Sequence, residues 1–175
     1  MSKCTLLANA GILINDNNVR ILIDGLQDAG QYPFSKLPEY IIKAMFCKGN
    51  REEYNDIDYL IFTHLHPDHF CFDLIKKYLE YNHVKRILWP ADIQQDKMNL
   101  NSKVVDWIFE MDYGRKHRYR LSEKIWLESL CLKHIPYIFP KDLCNCILIK
   151  IKEKNILFLS DCSFEETKQF QSFSD

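Results

Sequence analysis

The stretch Thr63-His64-Leu65-His66-Pro67-Asp68-His69 decides the fold, because it places three imidazoles and a carboxylate within six consecutive residues. It follows the apolar run 59–62, which predicts a strand that ends at Thr63. Half of the six histidines of the chain lie in this stretch. Neutral imidazole is the commonest metal ligand, and a nearby carboxylate adds the negative charge that a divalent cation needs. The stretch therefore predicts a metal site at the tip of a strand.

The spacing within the stretch predicts that its polar side chains converge. His64 and His66 are two residues apart, so they point to the same side of an extended chain. Pro67 fixes φ and has no N–H group, so the chain turns there and brings Asp68 and His69 to face the same volume. Four candidate ligands in two pairs suit two adjacent metal ions better than one. A histidine-rich surface loop is the alternative interpretation.

This stretch resembles the H-x-H-x-D-H signature of the metallo-β-lactamase superfamily, which His64, His66, Asp68 and His69 match residue for residue. The resemblance implies an α/β (α+β) fold, a four-layer αββα sandwich with a mono- or dinuclear metal site at one edge of its two sheets. It also implies hydrolysis of an ester, amide, thioester or phosphodiester by a metal-bound hydroxide, with Asp68 as the catalytic residue that orients the nucleophile or takes its proton. Zinc, as one or two ions, is the expected metal, and iron or manganese are alternatives.

The resemblance adds two metal ligands from the second half of the chain. His134 follows the predicted strand 125–133 and matches the next metal histidine of the superfamily. Asp161 follows the predicted strand 155–160 and matches the carboxylate that bridges the two metals. Cys162 is a competing soft ligand, but neighbours on a strand point to opposite faces, and we choose Asp161.

Two further residues are expected behind these ligands. Asp24 ends the predicted strand 19–24, and in the superfamily an aspartate at this place braces the backbone of the metal loop. An ordinary residue of a turn at the end of the strand is the alternative for Asp24. Asn9 is expected to lie near the site in this fold.

The chain departs from the superfamily pattern after Asp161. The pattern continues through further strands and a helix to one more metal histidine, but the fourteen residues that follow Asp161 include no histidine. We therefore expect one domain, residues 1–175, that lacks the C-terminal part of the fold. A longer parent protein, a ligand from a neighbouring subunit in an oligomer, or a weak or absent second metal would each account for the difference.

Composition sets the broad class. The 175 residues are 47% hydrophobic, which suits one globular domain, and 23 Lys+Arg against 24 Asp+Glu leave no global field that favours nucleic acid. No signal peptide and no apolar run of about 20 residues is visible, so no membrane partner is expected. Seven cysteines without a C-x-x-C pair predict a cytoplasmic protein with buried thiols, among them Cys144 and Cys146.

The remaining elements follow from periodicity and turn residues. Residues 4–14 and 19–24 are predicted to form a β-hairpin, and residues 41–46 and 71–79 are predicted to form helices. Residues 91–111 have a mostly helical pattern. Strands are predicted at 57–63, 86–89, 125–133, 145–151 and 155–160.

The functional prediction from the sequence is a metal-dependent hydrolase of a small-molecule substrate. A nuclease or phosphodiesterase is the alternative suggested by the locally basic stretch 113–120, in which Tyr113 and Tyr119 are interleaved with the basic residues. A metal-binding protein without turnover is a second alternative, because one ligand is missing. A structural zinc domain is a third, although such sites are usually closed and rich in thiolates.

Overall fold

The computed structural model describes residues 3–16, 19–30, 33–47, 52–91, 105–135, 143–163, 165 and 167–173. The chain divides into two compact units, Met1–Trp89 with Ile93–Ile108 and Pro90–Asp92 with Phe109–Asp175. The single-domain assignment for residues 1–175 stays a prediction. Within the described part of the chain, each helix is too short or too polar to cross a lipid bilayer.

The first unit is built on a six-stranded sheet whose spatial order follows the chain order. The strands are β1 (Lys3–Leu7), β2 (Gly11–Asp16), β3 (Val19–Ile23), β4 (Tyr59–Ile61), β5 (Arg86–Pro90) and β6 (Val105–Phe109). Strands β1, β2 and β3 pair antiparallel, whereas β3, β4 and β5 pair parallel. Ile23 and Ile61 are register partners, so β3 and β4 end at the same edge of the sheet. This edge carries the residues that follow both strands, Asp24 and the stretch 63–69.

Two helices cover one face of this sheet. Alternate residues of the strands, such as Leu22 and Leu60, form a buried cluster with residues of α1 (Glu39–Phe46) and α2 (Phe72–Tyr81). The side chain of Tyr78 joins the layers, because its hydroxyl donates to the Tyr54 carbonyl at 2.9 Å and accepts the Ile57 amide at 3.2 Å. A short 3₁₀ turn, Glu52–Tyr54, supplies that carbonyl. The helices therefore support the strands that lead to the edge.

The second unit contains a four-stranded antiparallel sheet in the order β10-β9-β8-β7. Its strands are β7 (Lys116–Ser122), β8 (Ile125–Lys133), β9 (Leu143–Ile151) and β10 (Lys154–Phe158). A short helix, α3 (Thr167–Phe170), and a 3₁₀ turn, Gln171–Phe173, follow. Phe170 and Phe173 pack against a cluster that includes Leu130, Cys144 and Cys162. The predicted fold class is confirmed at this level, because the structure is mixed α/β with two sheets and few helices.

Two sequence-based elements differ from the structure, although the predicted hairpin is confirmed by the antiparallel pairing of β2 with β3. Residues 4–14 form two strands, because Asn9 takes a positive φ of 42° and the chain turns before Gly11. A Cβ atom on Gly11 would lie only 3.1 Å from the Gly25 Cα, a tight approach to backbone that favours glycine at this turn. A helix was predicted over 91–111, but Val105–Phe109 form strand β6. There, β-branched and aromatic residues outweigh the helical spacing. The first part of that prediction lies outside the described residues.

Candidate metal centre

The stretch 63–69 folds into a compact loop at the edge formed by β3 and β4. After Pro67 the chain makes one helical turn, in which the His66 carbonyl accepts the backbone amides of His69 and Phe70, both at 2.9 Å. The Cys71 amide then donates to the Leu26 carbonyl at 2.8 Å, and Leu26 forms an isolated bridge with Phe70. The end of the loop is therefore tied to the segment that follows β3.

This loop brings its three imidazoles together. The ring centroids of His64 and His66 are 4.5 Å apart, and those of His64 and His69 are 4.1 Å apart. One nitrogen of His64 lies within 4.8 Å of a nitrogen of His66, and the same holds for His64 and His69. Asp68 is buried, and its Oδ2 lies 3.4 Å from the His69 Nε2. The first unit thus contains a His/Asp cluster whose donor atoms suit a metal ion.

Asp24 lies behind this cluster and holds it in place. Its side chain has no exposed surface, and its Oδ1 accepts the Thr63 amide at 2.8 Å. Its Oδ2 accepts the Thr63 hydroxyl at 2.6 Å and lies 2.8 Å from the His69 Nδ1. A carboxylate accepts only, so His69 must carry its proton on Nδ1, which leaves the Nε2 lone pair toward Asp68. Asp24 itself has a φ of 47°, a left-handed conformation that aims its carboxylate into the loop.

In the second unit the structure brings His134 and Asp161 together. His134 follows β8 directly and forms an isolated bridge with Cys162, while the Ile135 amide donates to the Asp161 carbonyl at 2.8 Å. The His134 Nδ1 lies 3.0 Å from the Ile135 carbonyl oxygen, so Nδ1 carries the proton and Nε2 keeps the lone pair. That Nε2 lies 3.3 Å from the Asp161 Oδ2. Ser160, just before Asp161, has a left-handed φ of 53°.

Both facing pairs, His69 with Asp68 and His134 with Asp161, fit the requirements of a metal. In each pair a nitrogen lone pair faces a carboxylate oxygen, and two acceptors in contact require a cation, which is a proton or a metal ion. Two ligands on a tetrahedral metal with bonds of about 2.0–2.1 Å lie roughly 3.3 Å apart. The spacing of these atoms therefore matches that of ligands on one ion.

Asn9 and Cys162, the other two sequence candidates, make contacts of their own. The Asn9 amide is bonded to the backbone of Ser35, donating at 2.9 Å and accepting at 2.8 Å, so it braces the segment after β3. The Cys162 Sγ lies 3.2 Å from the Cys144 Sγ in the buried cluster of the second unit. Cys162 therefore points to the core, whereas Asp161 points to His134.

Two of the basic residues in 115–120 form ion pairs with glutamates of the same unit. The Arg115 guanidinium lies 2.7 Å from Glu110, and the Arg118 guanidinium lies 3.4 Å from Glu128. Arg118 and Arg120 also cover the ring of Trp126. Nucleic acid as a partner stays an untested expectation.

One contact in the site escaped sequence reasoning, namely the Thr63 hydroxyl, which lies between Asp24 and His64. Its Oγ1 is 3.0 Å from the His64 Nδ1. Thr63 stands inside the quoted motif, but its spacing carries no signal of this role. The signal appears only with the pairing of β3 and β4, which brings together residues 39 positions apart.

Comparison with solved structures identifies the fold of the chain. No protein-family model matches the chain, and no curated protein matches it by sequence. Among solved structures, it is similar to Igni18, a metallo hydrolase from Ignicoccus hospitalis, with 15% identity over 95% of this chain and a TM-score of 0.59. It is also similar to YhfI, a metallo-β-lactamase fold protein from Bacillus subtilis, with 18% identity over 96% of this chain and a TM-score of 0.61.

A third similar structure is CmlA, a diiron β-hydroxylase from Streptomyces venezuelae, with 17% identity over 89% of this chain and a TM-score of 0.56. The chain spans 64% of the Igni18 chain, 60% of the YhfI chain and 29% of the CmlA chain. At these identities the likeness concerns the fold. The chain therefore has the metallo-β-lactamase fold that the signature implied.

Proposed function

We propose that this chain is a metal-dependent hydrolase with two adjacent sites for divalent ions. The ligands of the first ion are three imidazoles, those of His64, His66 and His134. The ligands of the second ion are one imidazole and two carboxylates, those of His69, Asp68 and Asp161. Asp161 would complete the second ligand set.

The observation that carries this proposal is the orientation of two imidazole rings. In His69 and in His134 the Nδ1 atom is held by an oxygen acceptor, so the lone pair is on Nε2. Each Nε2 faces a carboxylate oxygen, at 3.4 Å and 3.3 Å. A histidine that ligates a metal usually donates its other ring nitrogen to a carboxylate or a carbonyl in this way. Each unit therefore contains a histidine whose second ring nitrogen faces a carboxylate oxygen.

Asp68 and Asp24 have different roles in the proposed reaction. A bound divalent ion lowers the pKa of water and polarises a carbonyl or phosphoryl oxygen. Asp68 is buried beside His69, where its carboxylate orients the attacking water and accepts its proton. Asp24 keeps the loop rigid, so the ligands do not reorganise during the reaction.

The metal-dependent hydrolase has two rivals that the same fold permits. CmlA is a diiron β-hydroxylase, so iron and oxidative chemistry occur on this fold. A protein that binds metal without turnover is the other rival. Zinc is the expected metal for imidazole and carboxylate ligands, and an assay must therefore measure iron and manganese beside zinc.

Metal content of the purified chain is the first test. Protein purified without chelator should contain about one or two equivalents of zinc, iron or manganese by elemental analysis. His66→Ala and His134→Ala should each lower the content, because each removes an imidazole from the three-histidine set. His83 is exposed, and His83→Ala is the matched control. Less than about a tenth of an equivalent in the unmodified chain refutes the site.

Turnover separates an enzyme from a metal-binding protein. The metal-loaded chain should hydrolyse a generic aryl ester or aryl phosphodiester, and a chelator should abolish the activity. Asp68→Asn should lower kcat by roughly a hundredfold or more while some metal remains bound. Full metal loading without hydrolysis of either substrate favours the binding protein, and oxygen-dependent turnover with iron favours the oxidative rival.

A further inference from the structure

The Thr63 side chain lies within a chain of hydrogen bonds that connects Asp24 to His64. The Thr63 hydroxyl is 2.6 Å from the Asp24 Oδ2 and 3.0 Å from the His64 Nδ1. All three side chains are buried. A hydroxyl has one proton and can accept with its lone pairs, so the direction of these two bonds can be worked out.

The proton of the Thr63 hydroxyl belongs to the bond with Asp24. The Asp24 carboxylate faces three donors, which are the Thr63 amide, the Thr63 hydroxyl and the His69 Nδ1. The distance of 2.6 Å is that of an O–H group donating to a carboxylate, between about 2.5 and 2.7 Å. Toward His64, the hydroxyl therefore presents a lone pair.

We propose that Thr63 is a positioning residue whose hydroxyl fixes the tautomer of His64. Because the hydroxyl accepts from the His64 Nδ1, that nitrogen carries the proton and the lone pair is on Nε2. Asp24 then sets two imidazoles at once, His69 by direct contact and His64 through Thr63. The consequence for metal binding rests on the proposed function, whereas the tautomer is a property of the metal-free protein.

The substitution that tests this role changes one atom. Thr63→Val keeps the shape of the side chain and removes the hydroxyl, so the His64 Nδ1 loses the Thr63 oxygen as an acceptor. Thr63→Ser keeps the hydroxyl and removes a methyl group from the same buried place, and it is the matched control for packing. A purely structural role predicts that the serine variant is harmed as much as the valine variant.

The first measurement is the tautomer of His64 in metal-free protein, from long-range ¹H–¹⁵N spectra of the imidazole rings. The unmodified chain and Thr63→Ser should show the Nδ1–H form, and Thr63→Val should show a larger share of the Nε2–H form. The ring of His83 is exposed and should give unchanged signals in all three proteins. An Nε2–H form of His64 in the unmodified chain overturns the proposal.

The second measurement is zinc affinity by competition with a chromophoric chelator. Loss of a partner behind a ligand typically costs 10- to 100-fold in affinity, and we expect this loss for Thr63→Val with recovery in Thr63→Ser. Equal affinity of all three proteins overturns the proposal. If the unmodified chain binds no metal and still shows the Nδ1–H form of His64, the proposed function fails and the role of Thr63 stands. If Thr63→Val does not fold, the tautomers of the other two proteins decide.

Discussion

Side chains as well as backbone bonds support the candidate ligands of the first unit, whereas the contacts described for those of the second are made mainly by backbone groups. Four hydrogen bonds of 2.6–3.0 Å connect Asp24 with Thr63 and His69, and Thr63 with the ring of His64. In the second unit, the Ile135 amide donates to the Asp161 carbonyl and the Ser163 amide donates to the Lys133 carbonyl. The first arrangement depends on a few particular side chains, and the second depends on the path of the chain.

Because of this difference, replacing an aspartate should cost more stability in the first unit than in the second. A buried carboxylate that satisfies several donors is expensive to replace, because each donor loses its partner. A carboxylate at the end of a backbone-paired segment can be replaced with little change in the fold. The comparison therefore predicts one aspartate that supports both stability and metal, and another that supports metal alone.

The largest expected effect comes from Asp24→Asn. The side chain of Asp24 is 0% exposed, and an amide there would turn its NH₂ toward Thr63 or His69, both of which donate. We expect a loss of about 3 kcal/mol in the free energy of unfolding of the metal-free protein, measured by urea denaturation. Metal binding should be lost as well, because Asp24 would no longer hold the rings of His64 and His69 in place.

Asp161→Asn is the matched comparison. The side chain of Asp161 is 31% exposed and its backbone makes the contacts that shape the segment. Its unfolding free energy should change by less than about 1 kcal/mol, while metal content falls. Equal losses of stability in the two variants would contradict the distinction between the two units.

The same distinction explains how much of the site was accessible from the sequence. Residues 63–69 form one local motif, and the elements around it, strand β4 and helix α2, agree with their apolar patterns. Strand β8 spans residues 125–133 as expected from its turn residues. His134 and Asp161 have no local signal as a pair, and their assignment as ligands came from the resemblance and stays a prediction.

The failures of the sequence analysis have a common physical cause, which is tertiary context. The role of Thr63 depends on parallel pairing of β3 and β4, which no spacing within residues 63–69 reveals. Strand β6 carries apolar residues at helical spacing, and its pairing in the sheet decided its conformation. The turn at Asn9 was hidden because the apolar residues on both sides read as one run.

Thiol reactivity gives a second, smaller test of how firmly the backbone holds the segment of Asp161. The contact with Cys144, a further one with Cys146, and burial raise the pKa of the Cys162 thiol. The thiolate is the reactive form, so iodoacetamide should modify Cys162 at least about tenfold more slowly than the exposed Cys4 and Cys47. Mass spectrometry of the alkylated peptides measures these rates.

Cys131 provides the internal control for this experiment, because it is buried in strand β8 of the same unit. Slow modification of Cys131 and Cys162 together indicates that the unit stays closed. Rapid modification of Cys162 with protection of Cys131 would show that the segment after β10 opens by itself, and backbone pairing would then be a weak support.

The smallest effect is expected from His117, a histidine of the second unit that belongs to neither ligand set. Its Nε2 accepts the Glu110 amide at 3.2 Å, and its ring stacks on Tyr119. Burial lowers the pKa of His117 below 6.5, against the opposing influence of Glu110. The folded protein therefore takes up this proton less readily than the unfolded chain.

The contribution of neutral His117 to the free energy of unfolding should consequently be present above about pH 6.5. It should fall as the pH drops toward the lowered pKa of His117. His117→Gln removes this proton uptake, so the variant should lose less stability than the unmodified chain between about pH 7.5 and about pH 5.5. Urea denaturation at both pH values measures the difference, which should be modest because the ring is only partly buried. A variant that loses as much as the unmodified chain would mean that His117 titrates equally in the folded and unfolded states, and its contacts would then not keep it neutral.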